Sequence, residues 1–119
     1  MVTVFSRFTM RRGKVPGALR LVRAVKRQAE IDQAGTLVYL VHRVLDKSGK
    51  PGRELAFYEC YRNPKALTAH LDSTSWRALV ANWDTYFEGS SKKIAFFSAK
   101  RIGAFARRGA IPAAKRARG

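Results

Sequence analysis

Residues 2–10, VTVFSRFTM, place Val2, Val4 and Phe8 on one side of the chain, the two-residue period of a strand. RRGKVPG then interrupts the pattern, with Gly13, Pro16 and Gly17 as punctuation. Pro16 suits the first turn of a helix, where its missing N–H is no loss. From there Ala18, Leu21, Val22, Val25 and Ala29 recur at helical spacing, while Arg20, Arg23, Lys26 and Arg27 occupy the opposite side. Gly35 is expected to close this helix as a left-handed C-cap.

TLVYLVHRVL, residues 36–45, is β-branched and aromatic on both sides, which predicts a central strand buried on two faces. DKSGKPGR, residues 46–53, has turn composition, and ELAFYECY, residues 54–61, reads as the next strand. So short a connection makes the two an antiparallel hairpin. Asn63 can cap a helix starting at Pro64, with Ala66, Leu67, His70 and Leu71 on its face. Ser73 or Ser75 can cap another, in which Trp76, Leu79, Val80, Trp83 and Phe87 form an apolar stripe ended by Gly89. Residues 92–105 read as a last, extended strand.

The order β-α-β-β-α-β defines a ferredoxin-like α+β domain, an antiparallel sheet with helices on one face, over residues 1–105. Residues 106–119 form an Ala/Arg/Gly tail with too little apolar content to fold alone. The helix-free sheet face would remain apolar and open on a monomer, so a homodimer is expected.

Charge changes the picture at the two ends. The chain of 119 residues carries a formal charge of +16. Residues 1–27 hold eight Lys or Arg and no acid, and residues 100–119 hold seven and no acid. Residues 28–99 balance nine bases against eight acids, so the body of the domain is electrically ordinary. The ends either solvate the protein or attract an anionic partner, a nucleic acid or an acidic protein. Arg11, Arg12, Arg107, Arg108, Lys115, Arg116 and Arg118 are the candidate polyanion contacts. The single cysteine, Cys60, excludes an internal disulfide. No apolar run approaches the roughly 20 residues of a membrane span. The N-terminus has the wrong charge order for a secretory leader, and a cytoplasmic location is expected.

The segment LAFYECYRNPKALTAHLDS, residues 55–73, resembles the signature of the antibiotic biosynthesis monooxygenase family. The residues that carry it are Tyr58, Glu59 and Tyr61, then Ala66, Leu67, Ala69, His70, Leu71 and Ser73. Upstream, Ala34-Gly35-Thr36-Leu37-Val38-Tyr39 is similar to the family's glycine turn into a tyrosine-bearing strand. The likeness runs over about residues 2–100 and implies a dimeric α+β barrel. It also implies one of several activities: cofactor-free oxygenation of phenols and anthrones, quinol oxidation, heme degradation, or isomerisation of a phosphorylated signal molecule. Heme-degrading members carry a histidine in the helix after Ala-His-Leu. Val80 stands near that place here, and no histidine follows residue 71.

Nucleophilic triads, phosphate loops and metal-ligand spacings such as H-E-x-x-H are missing from the sequence. An apolar pocket with few polar groups remains. That suffices for a monooxygenase acting on a quinol or polycyclic phenol, whose ionised form supplies the electrons. This reading calls for a base, an oxyanion stabiliser and a dry cavity, with no cofactor and no metal. His70 is the candidate base, because its ordinary pKa lies near neutrality; the alternative is a packed histidine bonded to backbone or to Glu59. Tyr39, Tyr58, Glu59, Tyr61, Trp76 and Trp83 are the candidate substrate contacts. His42 has the opposite strand parity to Tyr39 and is not chosen. Two other functions compete. One is an isomerase or binding protein for an anionic small molecule, marked by two or more inward cations. The other is a nucleic-acid or acidic-protein docking module, marked by a filled core.

Overall fold

A computed structural model describes residues 1–115, so Arg116 and Arg118 lie outside the described residues. Four strands form one antiparallel sheet in the order β2-β3-β1-β4: β1 Val2–Thr9, β2 Thr36–Leu45, β3 Pro51–Tyr61 and β4 Ala95–Ala99. Helix α1 (Val15–Asp32) joins β1 to β2, and α2 (Pro64–Leu71), α3 (Thr74–Ala81) and α4 (Trp83–Tyr86) follow β3. This is the expected ferredoxin-like α+β architecture, with the helices on one face. Among the described residues no helix is long and apolar enough to cross a membrane.

Local chemistry accounts for the element ends. Pro16 sits in the first turn of α1, and Ala18, Val22, Val25 and Ala29 form its buried stripe. The Asn63 side chain accepts from Ala66 N–H at 2.9 Å and starts α2. Ser73, rather than Ser75, caps α3. The β2–β3 turn is tied by the Asp46 carboxylate, which accepts from Ser48 and Lys50 N–H at 2.9 and 3.0 Å. Gly49, at φ 84°, takes the left-handed conformation that this turn requires.

Four sequence expectations are corrected. Gly35 is not a left-handed C-cap: α1 ends at Asp32 with Gln33 as its C-cap, and Gly35 has no positive φ. β2 is an edge strand, not a central one. Its two-sided apolar character tells which faces are apolar, and says nothing of how many strands lie beside it. The stripe from Trp76 to Phe87 is not one helix but two, divided at Asn82, whose side chain turns back onto the Ala78 carbonyl at 2.8 Å. The last strand is only five residues long: Ser91–Lys93 form a 3-10 turn rather than strand, and pairing with β1 runs from Ala95 to Ala99, opposite Arg7 to Thr3.

Even-numbered residues of β1 and odd-numbered residues of β3 face the helices. Phe8 centres the core there, with ring centroids 4.8 Å from Phe57, 4.9 Å from Trp83 and 5.2 Å from Phe87. Leu55, Met10 and Leu79 complete it, each essentially sealed from solvent. The other face carries Phe5, Val38, Leu40, Tyr58 and Phe97, with no helix over it.

Candidate active site

Between the helix-covered face of the sheet and α2 lies a cavity of about 200 Å³. The sheet supplies Val4, Phe8, Phe57, Tyr39 and Glu59; α2 and α3 supply Leu67, His70 and Trp76. Exposed Leu71, Lys92 and Phe96 form its rim. The wall is mostly apolar; its polar groups are His70, Glu59 and Tyr39, with Ser6, Ser91 and Lys92 also lining it.

His70 is on the last turn of α2 and is only 2% exposed. Its ring centroid is 5.6 Å from Tyr39, 5.5 Å from Tyr61 and 6.2 Å from Trp76. Nδ1 lies 2.9 Å from Oε1 of Gln33, and Nε2 lies 3.8 Å from Oε1 of Glu59. A helix C-terminus favours a histidine cation by about 0.3–1 kcal/mol. Burial opposes it and wins, lowering the His70 pKa from 6.5 to about 4. The imidazole is therefore neutral at neutral pH. The 3.8 Å approach to Glu59 is a contact between a neutral ring and a carboxyl, too long for a hydrogen bond.

Burial also raises the Glu59 pKa, partly offset by the hydrogen bond that the Tyr61 hydroxyl donates to it. Burial, reinforced by the charge of Glu59, raises Tyr39 well above its usual value and raises Tyr61 too. Both phenols stay protonated and remain donors.

Four of the seven sequence-selected residues thus line the cavity: His70, Tyr39, Glu59 and Trp76. Tyr61 stands behind them, fully buried, with its hydroxyl on Glu59. Tyr58 does not line the cavity, because strand parity turns it to the helix-free face, where it packs edge-on against Phe5 and receives the Arg101 guanidinium. Trp83 is a core residue, 2% exposed, with its indole N–H donating to the Gly89 carbonyl at 3.2 Å. Gln33 was not foreseen. It occupies the C-cap of α1, and only the folded turn Gln33–Thr36 brings it to His70.

The basic candidates are dispersed. Arg11 is tied to the Asp84 carbonyl at 2.8 Å, beyond the C-terminal end of β1. The C-terminal segment leaves the sheet at the other end, where Ala99 pairs with Thr3. Eight residues of strand separate these points, roughly 26 Å. Within the C-terminal segment, Arg107 lies over the Phe105 ring, and the Lys115 backbone N–H donates to Glu30 at 2.7 Å. The two basic segments therefore do not merge where they join the sheet.

The sheet order, the helical layer and a cavity closed by α2 define a ferredoxin-like α+β domain that holds a small-molecule-sized site against its sheet. The family model for antibiotic biosynthesis monooxygenase matches residues 1–82, and the chain belongs to that family. Solved structures agree on the fold. A Pseudomonas aeruginosa protein superposes with a TM-score of 0.71 at 18% identity, covering 86% of this chain and 94% of its own. A structure named antibiotic biosynthesis monooxygenase gives 0.65 at 18%, covering 87% and 100%. A Nitrosomonas europaea protein of unknown function gives 0.69 at 17%, covering 91% and 95%. Among curated proteins, none matches this chain.

Proposed function

We propose that this protein is a cofactor-independent monooxygenase of a quinol or polycyclic phenol, with His70 as its general base. The observation that carries the reading is a neutral, buried imidazole in the wall of a mostly apolar, aromatic-lined cavity. His70 takes the phenolic proton. The Tyr39 hydroxyl, held protonated, donates to the oxyanion that forms. In the cavity the electron-rich ring reduces dioxygen. In a phenol the ring C–H opposite the hydroxyl becomes C=O. In a quinol a ring C–H beside a hydroxyl becomes C–OH as the ring goes to the hydroxyquinone. Either way one oxygen atom stays in the quinone product, and the other leaves as water with two hydrogens lost by the substrate. All four electrons come from the substrate.

Lys92, at the rim, is the only Lys or Arg among the described cavity residues, which favours this reading over an anion-binding isomerase. The test is oxygen uptake with a panel of quinols, naphthols and anthrones under ¹⁸O₂. One label is expected in the quinone and one in water, and His70→Ala should slow the reaction by roughly 10²-fold or more. Uptake no faster with wild type than with His70→Ala across the panel would sink the assignment.

The active unit in this proposal is a homodimer. The helix-free face presents Phe5, Val38, Leu40, Tyr58 and Phe97, an apolar surface that a second copy would cover. Its support is that face together with the family to which the chain belongs.

A further inference from the structure

Gln33 and Gly35 lie between α1 and β2, and Thr36 opens β2, all remote in sequence from His70. The turn presses against α2: a Cβ on Gly35 would stand 2.6 Å from the Ala66 Cβ, so only glycine permits this approach. The Gly35 carbonyl, held this close, accepts from Arg62 N–H at 2.8 Å, just before α2 begins. The consequence is that the Gln33 side chain reaches the imidazole. Its Oε1 lies 2.9 Å from His70 Nδ1 and 3.3 Å from the Thr36 hydroxyl, which donates to it.

We infer that Gln33 is a positioning residue that holds His70 in the Nδ1–H tautomer, with the Nε2 lone pair turned toward Glu59 and the cavity. Neutral imidazole has one donor and one acceptor nitrogen, so whatever engages Nδ1 decides the character of Nε2. An amide oxygen at 2.9 Å accepts and so demands a proton on Nδ1. The opposite tautomer would forfeit that bond and aim its proton at Glu59 across 3.8 Å, beyond hydrogen-bonding distance. Glu59 already accepts from Tyr61 and does not depend on His70 for a donor. For the base reaction this matters directly, because a histidine protonated on its cavity-facing nitrogen cannot accept the substrate's proton. The inference rests on the monooxygenase reading for its purpose, but not for its measurement.

The tautomer is read by two-bond ¹H–¹⁵N correlation of the imidazole rings in the ¹⁵N-labelled full chain near neutral pH. The chain has two histidines, and the His42→Gln spectrum assigns them. Wild-type His70 is expected to show a protonated Nδ1 and an unprotonated Nε2. Gln33→Met, which keeps the length and removes the acceptor, should shift the population to Nε2–H. Gln33→Glu, which keeps an acceptor oxygen, should retain the Nδ1 proton. Gly35→Ala, which drives the turn back from α2 by roughly 1 Å, should act like Gln33→Met. With an active substrate, Gln33→Met should lower kcat by roughly 10-fold at little change in KM. An Nε2–H tautomer in the wild type, or an unchanged tautomer in Gln33→Met, overturns the inference even if the protein is an oxygenase. A tautomer that switches as described, in a protein that oxidises nothing in the panel, leaves the positioning role standing and removes the proposed reaction.

Discussion

Replacing Glu59 by glutamine should expose a pH dependence of stability that His70 alone produces. Burial sets the His70 pKa at about 4 in the folded protein, against 6.5 when unfolded. Between those values the unfolded chain binds a proton that the folded protein does not, so stability falls as pH falls through the window. Integrating from about pH 7.5 to about pH 4.5 gives a loss of about 2.5 kcal/mol, rising toward about 3 kcal/mol at lower pH. Glu59 acts with the opposite sign. Its raised pKa means the folded state takes up a proton before the unfolded chain does, which gains stability as pH falls and masks the His70 effect in the wild type. Glu59→Gln removes the mask. The assay is urea unfolding of Glu59→Gln and of the Glu59→Gln/His70→Gln pair across that pH range, at one protein concentration because a dimer couples stability to mass action. The single variant should lose about 2.5 kcal/mol more than the double variant between the two pH values. Parallel pH profiles would refute the claim that burial keeps His70 neutral. A single variant that gains stability on acidification relative to the double variant would show instead that the fold favours the charged imidazole.

Light scattering at micromolar concentration should give about twice 13.4 kDa, and Leu40→Asp on the helix-free face should give a monomer that keeps its far-UV spectrum. Trp83→Ala should cost roughly 3–5 kcal/mol by urea unfolding, since Trp83 is packed on Phe8 and Phe87, whereas Trp76→Ala, at the cavity wall, should cost less and act mainly on KM. The basic ends should give weak, sequence-independent DNA binding whose log K falls with log salt by about 0.9 per neutralised phosphate. Removing residues 106–119 deletes five Lys or Arg and should flatten that slope, while residues 11–14 at the other end of the sheet continue to bind; an unchanged slope would assign the tail no part in it.

Periodicity was a sound guide wherever one face of an element meets the core. α1 buries Ala18, Val22, Val25 and Ala29 of the positions its spacing singled out, with Leu21 half-buried, and the alternation in β1 and β3 separates helix-facing from open-facing residues. It failed where the determinant is not periodic. No pattern within β2 reveals that it lies at the edge, because edge or centre is decided by which strands pair beside it. Likewise, nothing within residues 92–105 shows that pairing is confined to Ala95–Ala99; that is decided by the register against β1. Asn82 interrupts an apolar stripe that continues regardless into Phe87, so the stripe concealed the break.

The site divides along the same line. His70, Glu59, Tyr39 and Trp76 belong to motifs whose residue types suit the chemistry, and the fold gathers them around one cavity. Tyr58 and Trp83 have equally suitable side chains but lie elsewhere, because parity and packing place them and chemical type does not. Gln33 shows the converse. A lone glutamine after a helix carries no chemical signature, and the glycine two residues later was read as a helix cap. Its actual role is steric: the absence of a side chain at Gly35 lets the turn meet Ala66, and that contact, made 31 residues away in sequence, brings Gln33 to the imidazole. The setting of the imidazole thus depends on a glycine that does not itself line the cavity.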